Sequence, residues 1–79
     1  MTSRKQIKTL GILGGGQLGR MSALAAARLG INTIICTPEH DSPASQVSSE
    51  TIIAEYEDKV ALNQFLSKVD VITYEFENI

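Results

Sequence analysis

An α/β fold with a parallel sheet is the class this sequence predicts, and three observations predict it. Short apolar, β-branched stretches alternate with amphipathic helical patterns. A glycine-rich turn joins the first stretch to the first helical pattern. Both prolines fall in a single polar connection, so they interrupt neither strand nor helix.

The elements follow in order. Thr9–Leu13, TLGIL, is a strand that runs into GGGQLG and then into an alanine-rich helix ending at Leu29. Leu18, Met21, Ala25 and Leu29 recur at helical spacing and form one apolar stripe, and the alanines at 23–27 allow close packing on a sheet. Gly30 stands where a left-handed C-terminal cap is expected. Residues 32–36, NTIIC, form a second strand. Residues 37–49 are mainly loop, in which Ser42 ahead of Pro43 can cap a single helical turn. Residues 51–54, TIIA, form a third strand. Asp58 caps a second helix with the stripe Leu62, Phe65, Leu66 and Val69, and residues 70–74, DVITY, form a fourth strand. Right-handed crossovers then require helices on both faces. Two main helices must cover four strands, and nothing follows the last one to cover its outer side. The domain is therefore expected to be incomplete, with a remainder after Ile79.

Composition bounds the function. With 79 residues, 43% of them hydrophobic, and a net charge of −2, the chain is neither disordered nor a strongly basic nucleic-acid binder. One cysteine, Cys36, and one histidine, His40, give neither an internal disulfide nor a structural zinc site. No apolar run approaches the roughly 20 residues of a membrane span, and a reducing, cytoplasmic setting is expected. Arg4, Lys5, Lys8, Arg20 and Arg28 precede all nine acids, which begin at Glu39. This asymmetry favours an anionic ligand at that end, and chance placement on solvated faces explains it equally well.

Gly14, Gly16 and Gly19 match G-x-G-x-x-G directly after a strand and at the mouth of a helix. There the backbone can approach a phosphate, and the helix dipole and its first N–H groups favour one. The alternative is a turn that is glycine-rich only to pack helix on strand. A Walker A loop is excluded, because Arg20 and Met21 follow where Lys and Ser or Thr are needed. A dinucleotide site, as in a NAD-dependent dehydrogenase, wants an acid at the tip of the second strand, and Glu39 lies beyond Thr37 and Pro38, past that tip. A mononucleotide or sugar phosphate needs no such acid. Glu75 and Glu77, two apart in an extended segment, project to one side at the carboxyl end of the fourth strand, where open parallel sheets bind ligands. Taken alone, the pair reads most simply as a solvated edge. Tyr74 and Phe76 are read as packing residues, His40 as an exposed loop residue and Cys36 as core.

ILGGGQLGRM at 12–21, AARLGI at 26–31, DSPA at 41–44, Ala61, Leu62 and Phe65 of the second helix, and DVITYEFENI at 70–79 together resemble the start of the N5-carboxyaminoimidazole ribonucleotide synthetases, ATP-grasp enzymes of purine biosynthesis. That resemblance implies a Rossmann-like, pre-ATP-grasp fold over residues 1–79. It implies an ATP-dependent carboxylation in which 5-aminoimidazole ribonucleotide and bicarbonate are substrates, and ATP and Mg2+ are bound by domains absent here. By position, Gly15, Gly16, Gln17 and Leu18 would cradle the substrate phosphate and Glu75 would hold the aminoimidazole end, with Glu77 beside it; no catalytic residue or metal ligand is carried over. The full-length protein would be a homodimer, and the isolated chain would be inactive. Thr37 stands where many members carry Asp, which leaves a contact from that position open.

Overall fold

In the computed structural model, which describes residues 8–74, four strands form one parallel sheet in the order β3-β2-β1-β4. The chain runs β1 (Thr9–Leu13), α1 (Gln17–Arg28), β2 (Asn32–Thr37), a 3-10 turn (Ala44–Gln46), β3 (Glu50–Ile53), α2 (Lys59–Ser67) and β4 (Val71–Tyr74). β1 lies between β2 and β4, pairing Ile12 with Ile35 on one side and with Thr73 on the other.

Alternation along the strands divides the core in two. Ile12 and Ile35, both fully buried, face α1 and the 3-10 turn and pack with Ala23 and Ala44. Leu13, Ile34 and Cys36 face the opposite side and pack with Phe65 of α2. The order of connections explains the division. β1, β2 and β3 step in one direction across the sheet, and the return from β3 to β4 steps in the other. A right-handed crossover therefore places α2 on the face that α1 leaves open. Gly11 lets α2 sit close, since a Cβ there would stand 2.7 Å from Phe65 Cζ and 2.8 Å from Val69 Cγ1.

Local signals account for the helix ends. At the end of α1, Ile31 N–H donates to the Ala26 carbonyl (2.9 Å) and Gly30 N–H to that of Ala27 (3.0 Å), with Gly30 at φ +76. This is the Schellman pattern, and it ends the helix one residue before the expected Leu29. Asp58 caps α2 as expected, accepting from Ala61 N–H at 3.1 Å. Asp70, expected to open β4, instead precedes it: one carboxylate oxygen accepts the N–H groups of Lys8 (2.9 Å) and Thr9 (3.0 Å), tying the start of β1 to the approach of β4.

The structure corrects several expectations. The stripe of Leu18, Met21, Ala25 and Leu29 is not what meets the sheet; the alanine run is, as expected of it: α1 buries Gly19, Ala23 and Ala26, while Leu18, Met21 and Leu29 are 52%, 63% and 75% exposed. Small residues bring the helix axis closer to the strands than leucine or methionine permits, so the alanine face takes the contact. On α2, Leu62, Phe65 and Val69 pack inward, but Leu66 is 42% exposed. β2 continues to Thr37, and β3 begins one residue earlier than expected, at Glu50, and ends at Ile53. The single turn after Pro43 forms, but Ser42 does not cap it with its side chain; its carbonyl accepts from Ser45 N–H (3.1 Å) and Ser45 Oγ (2.7 Å). Tyr74, expected to pack, is 69% exposed.

Candidate functional site

The glycine turn lies at the carboxyl ends of β1 and β2. Gly14 N–H donates to the Cys36 carbonyl at 2.9 Å, the last bond of the β1–β2 ladder, and Gly14 adopts φ +118, a conformation that favours glycine, where the chain turns from strand to helix. Gly15 accepts at its carbonyl from Ala44 N–H at 2.9 Å. Gly16 is the N-cap of α1 and supplies no side-chain hydrogen bond to it, and no acid occupies the first turn. The first N–H groups of a helix have no intrahelical acceptor, and the helix dipole adds positive potential there. The chemistry available at this turn is therefore anion binding by backbone donors.

The residues read as a phosphate cradle are contiguous but divide between two depressions. Gly14, Gly15 and Gly16 line a pocket of about 310 Å3 with Thr37, Pro38, Glu39 and Tyr56. Leu18 lines a separate, mainly apolar groove of about 420 Å3 with Ile12, Met21, Ser22, Ala25, Thr73 and Tyr74. Gln17, exposed, is the first residue of α1 and stands between them in the chain. Glu75 and Glu77 lie outside the described residues. β4 reaches Tyr74, which pairs with Leu13, the residue that leads into the glycine turn.

Glu39 is exposed, as expected of a loop residue, yet it lines the glycine-turn pocket. The extension of β2 brings it there, and its N–H donates to Thr37 Oγ1 at 3.3 Å. Thr37 itself is 1% exposed. Tyr56 was missed by sequence reasoning: it lies in the connection from β3 to α2, and no local pattern marks such a residue as a neighbour of a turn forty positions earlier. His40 is exposed. Cys36 is buried among Leu13, Ile34 and Phe65; burial, and secondarily the Asp58 carboxylate, push its thiol pKa up, which keeps it protonated at neutral pH. Among the described residues no group of three or more His, Cys, Asp or Glu is placed to hold a metal ion, and no helix is long and apolar enough to cross a membrane.

Comparison with known proteins bears on the same region. The sequence profile of the ribonucleotide synthetase preATP-grasp domain matches residues 7–79. The chain is similar to the N5-carboxyaminoimidazole ribonucleotide synthase of Brucella melitensis, with 55% identity over 78 residues that cover 99% of this chain and 22% of that protein. Among solved structures, the Staphylococcus aureus N5-carboxyaminoimidazole synthetase complexed with ADP superposes with a TM-score of 0.86 at 51% identity, covering 91% of this chain and 19% of that one. The Thermotoga maritima N5-carboxyaminoimidazole ribonucleotide synthetase gives 0.84 at 42% identity, covering 91% and 20%. The chain thus spans about a fifth of the length of these relatives. A parallel β3-β2-β1-β4 sheet, a glycine turn opening onto α1, and a profile match over residues 7–79 lead to one conclusion: the chain belongs to the ribonucleotide synthetase pre-ATP-grasp domain family.

Proposed function

We propose that this chain forms the ribonucleotide-binding part of an ATP-dependent carboxylase, a carbon–nitrogen ligase. The enzyme would convert 5-aminoimidazole ribonucleotide, bicarbonate and ATP to N5-carboxyaminoimidazole ribonucleotide, ADP and phosphate in purine biosynthesis. The observation that carries this reading is the turn Gly14–Gly16, which opens onto an α1 N-terminus bearing neither a side-chain cap nor an acid in its first turn. Backbone donors of Gly15, Gly16, Gln17 and Leu18 would hold the substrate phosphate. Glu75 would accept hydrogen bonds from the aminoimidazole end, with Glu77 as a second acceptor. ATP and Mg2+ would be held by parts of the synthase other than residues 1–79, so the chain alone would bind substrate without turning it over. The complete enzyme would act as a cytoplasmic homodimer.

The test is ADP formation dependent on aminoimidazole ribonucleotide in a full-length synthase carrying this segment. Glu75→Ala is expected to raise the ribonucleotide KM or lower kcat/KM by about tenfold to a hundredfold, the loss of one or two hydrogen bonds to a charged acceptor. Unchanged KM and turnover would remove Glu75 from the site. Glu39 at the glycine-turn pocket, beside the G-x-G-x-x-G turn, favours a dinucleotide instead. Titration with NADH distinguishes the two, since saturable fluorescence enhancement would overturn the carboxylase reading.

A further inference from the structure

The glycine turn is backed by the segment that precedes and includes the 3-10 turn. Asp41 takes a left-handed φ of 56, Pro43 a φ of −54, and the Ser42 carbonyl accepts both the N–H and the Oγ–H of Ser45, so the backbone on either side of Ser42 is fixed. Ala44 N–H then donates to the Gly15 carbonyl at 2.9 Å. Ser42 is 2% exposed, and its Oγ has no hydrogen-bond partner among the described residues.

Gly15 shows where that side chain acts. Gly14 and Gly30 take positive φ angles, but Gly15 does not, so no left-handed φ reserves its place for glycine. What excludes a side chain at Gly15 is space: an added Cβ would meet Ser42 Oγ, stand 2.7 Å from Ser42 Cβ and lie 3.3 Å from Thr37 Cγ2. The side chain of Ser42 occupies the place of the missing Cβ. A hydroxyl sealed from solvent without a partner opposes folding, and this one is pressed against the turn to which the phosphate reading assigns the ligand.

We propose that Ser42 is a positioning residue for the phosphate turn. Its side chain, together with the Ala44–Gly15 hydrogen bond, sets the direction of the peptide N–H groups from Gly15 to Gln17. It touches no ligand itself, because its hydroxyl is inaccessible. This inference rests on the reading that the turn binds the ribonucleotide phosphate.

The experiment titrates inorganic phosphate into the chain and follows the backbone amide resonances of residues 14–18, so that affinity is measured on folded molecules alone. The unsubstituted chain, Ser42→Gly, Gly15→Ala and the double variant are compared. Ser42→Gly is expected to weaken phosphate binding about tenfold, the equivalent of one misdirected charge-assisted hydrogen bond. Gly15→Ala is expected to bind more weakly still, and adding Ser42→Gly to it to restore affinity at least to that of Ser42→Gly alone, since the new Cβ refills the vacated space. A lower unfolding midpoint with unchanged phosphate affinity in Ser42→Gly would make Ser42 a space-filler and overturn the proposal, as would a double variant no better than Gly15→Ala. Should Ser42→Gly not fold, Ser42→Ala replaces it, with about threefold weaker binding expected for the loss of part of the contact; equal affinity overturns the proposal. Absence of phosphate binding in the unsubstituted chain would instead sink the phosphate reading itself, and this inference with it.

Discussion

Cys36 illustrates how a single buried group ties stability to pH. Its thiol is held above the ordinary value of 9.0, first by desolvation and second by the Asp58 carboxylate. The folded chain therefore keeps the proton more tightly than the unfolded chain, and stability from this group is complete below the unfolded pKa and lost as pH rises through 9.0 and beyond. The urea midpoint is expected to fall more steeply above that pH in the unsubstituted chain than in Cys36→Ala, which lacks the titrating thiol; parallel declines would assign the effect to other groups. The buried position of Cys36 was legible from its place in a short β-branched strand. That of Ser42 was not, because the side chain meets Gly15 across a gap of 27 positions and no local pattern encodes the contact.

Helix α1 shows where periodicity stops being sufficient. Two faces of this helix are apolar: Leu18, Met21 and Ala25 on one, Gly19, Ala23 and Ala26 on the other. A hydrophobic scale ranks the first higher, yet the second is buried, because close approach to the strands requires small side chains and brings many backbone atoms into contact. The two faces give opposite expectations. Met21→Ser, at a residue 63% exposed, should change unfolding free energy by no more than about 0.5 kcal/mol. Ala23→Leu, at a residue 1% exposed against the sheet, should cost about 1–3 kcal/mol through overpacking. Chemical denaturation of both variants checks this, and a reversed order would return the core face to the larger residues. The capping residues Gly30 and Asp58, by contrast, were readable in place, since a cap is satisfied by atoms within a few residues of it.

For the molecule as a whole, two small clusters on opposite faces of one four-stranded sheet supply the core. At about 0.05–0.15 kcal/mol per residue, a chain of this size has roughly 4–12 kcal/mol of stability. Phe65, fully buried over Gly11, anchors the α2 side. Phe65→Ala is expected to cost about 3–5 kcal/mol and to lower the thermal midpoint by more than about 12 °C, as circular dichroism during a thermal scan would show. A midpoint within a few degrees of the unsubstituted chain would mean that the α1 cluster carries the fold alone.

By itself the sequence determined the order of strands and helices, the caps, the glycine turn at the mouth of α1, and a resemblance specific enough to indicate the family. These depend on contacts within a few residues or on the spacing of residue types, which the chain carries in linear form. Only the tertiary structure decided which face of α1 meets the sheet and that Thr37, Glu39 and Tyr56 share a pocket with the glycine turn. It alone placed Ser42 against Gly15. Each of these is a pairing between distant segments, selected by steric fit once the parallel sheet has brought the carboxyl ends of its strands together, and steric fit has no period in the sequence.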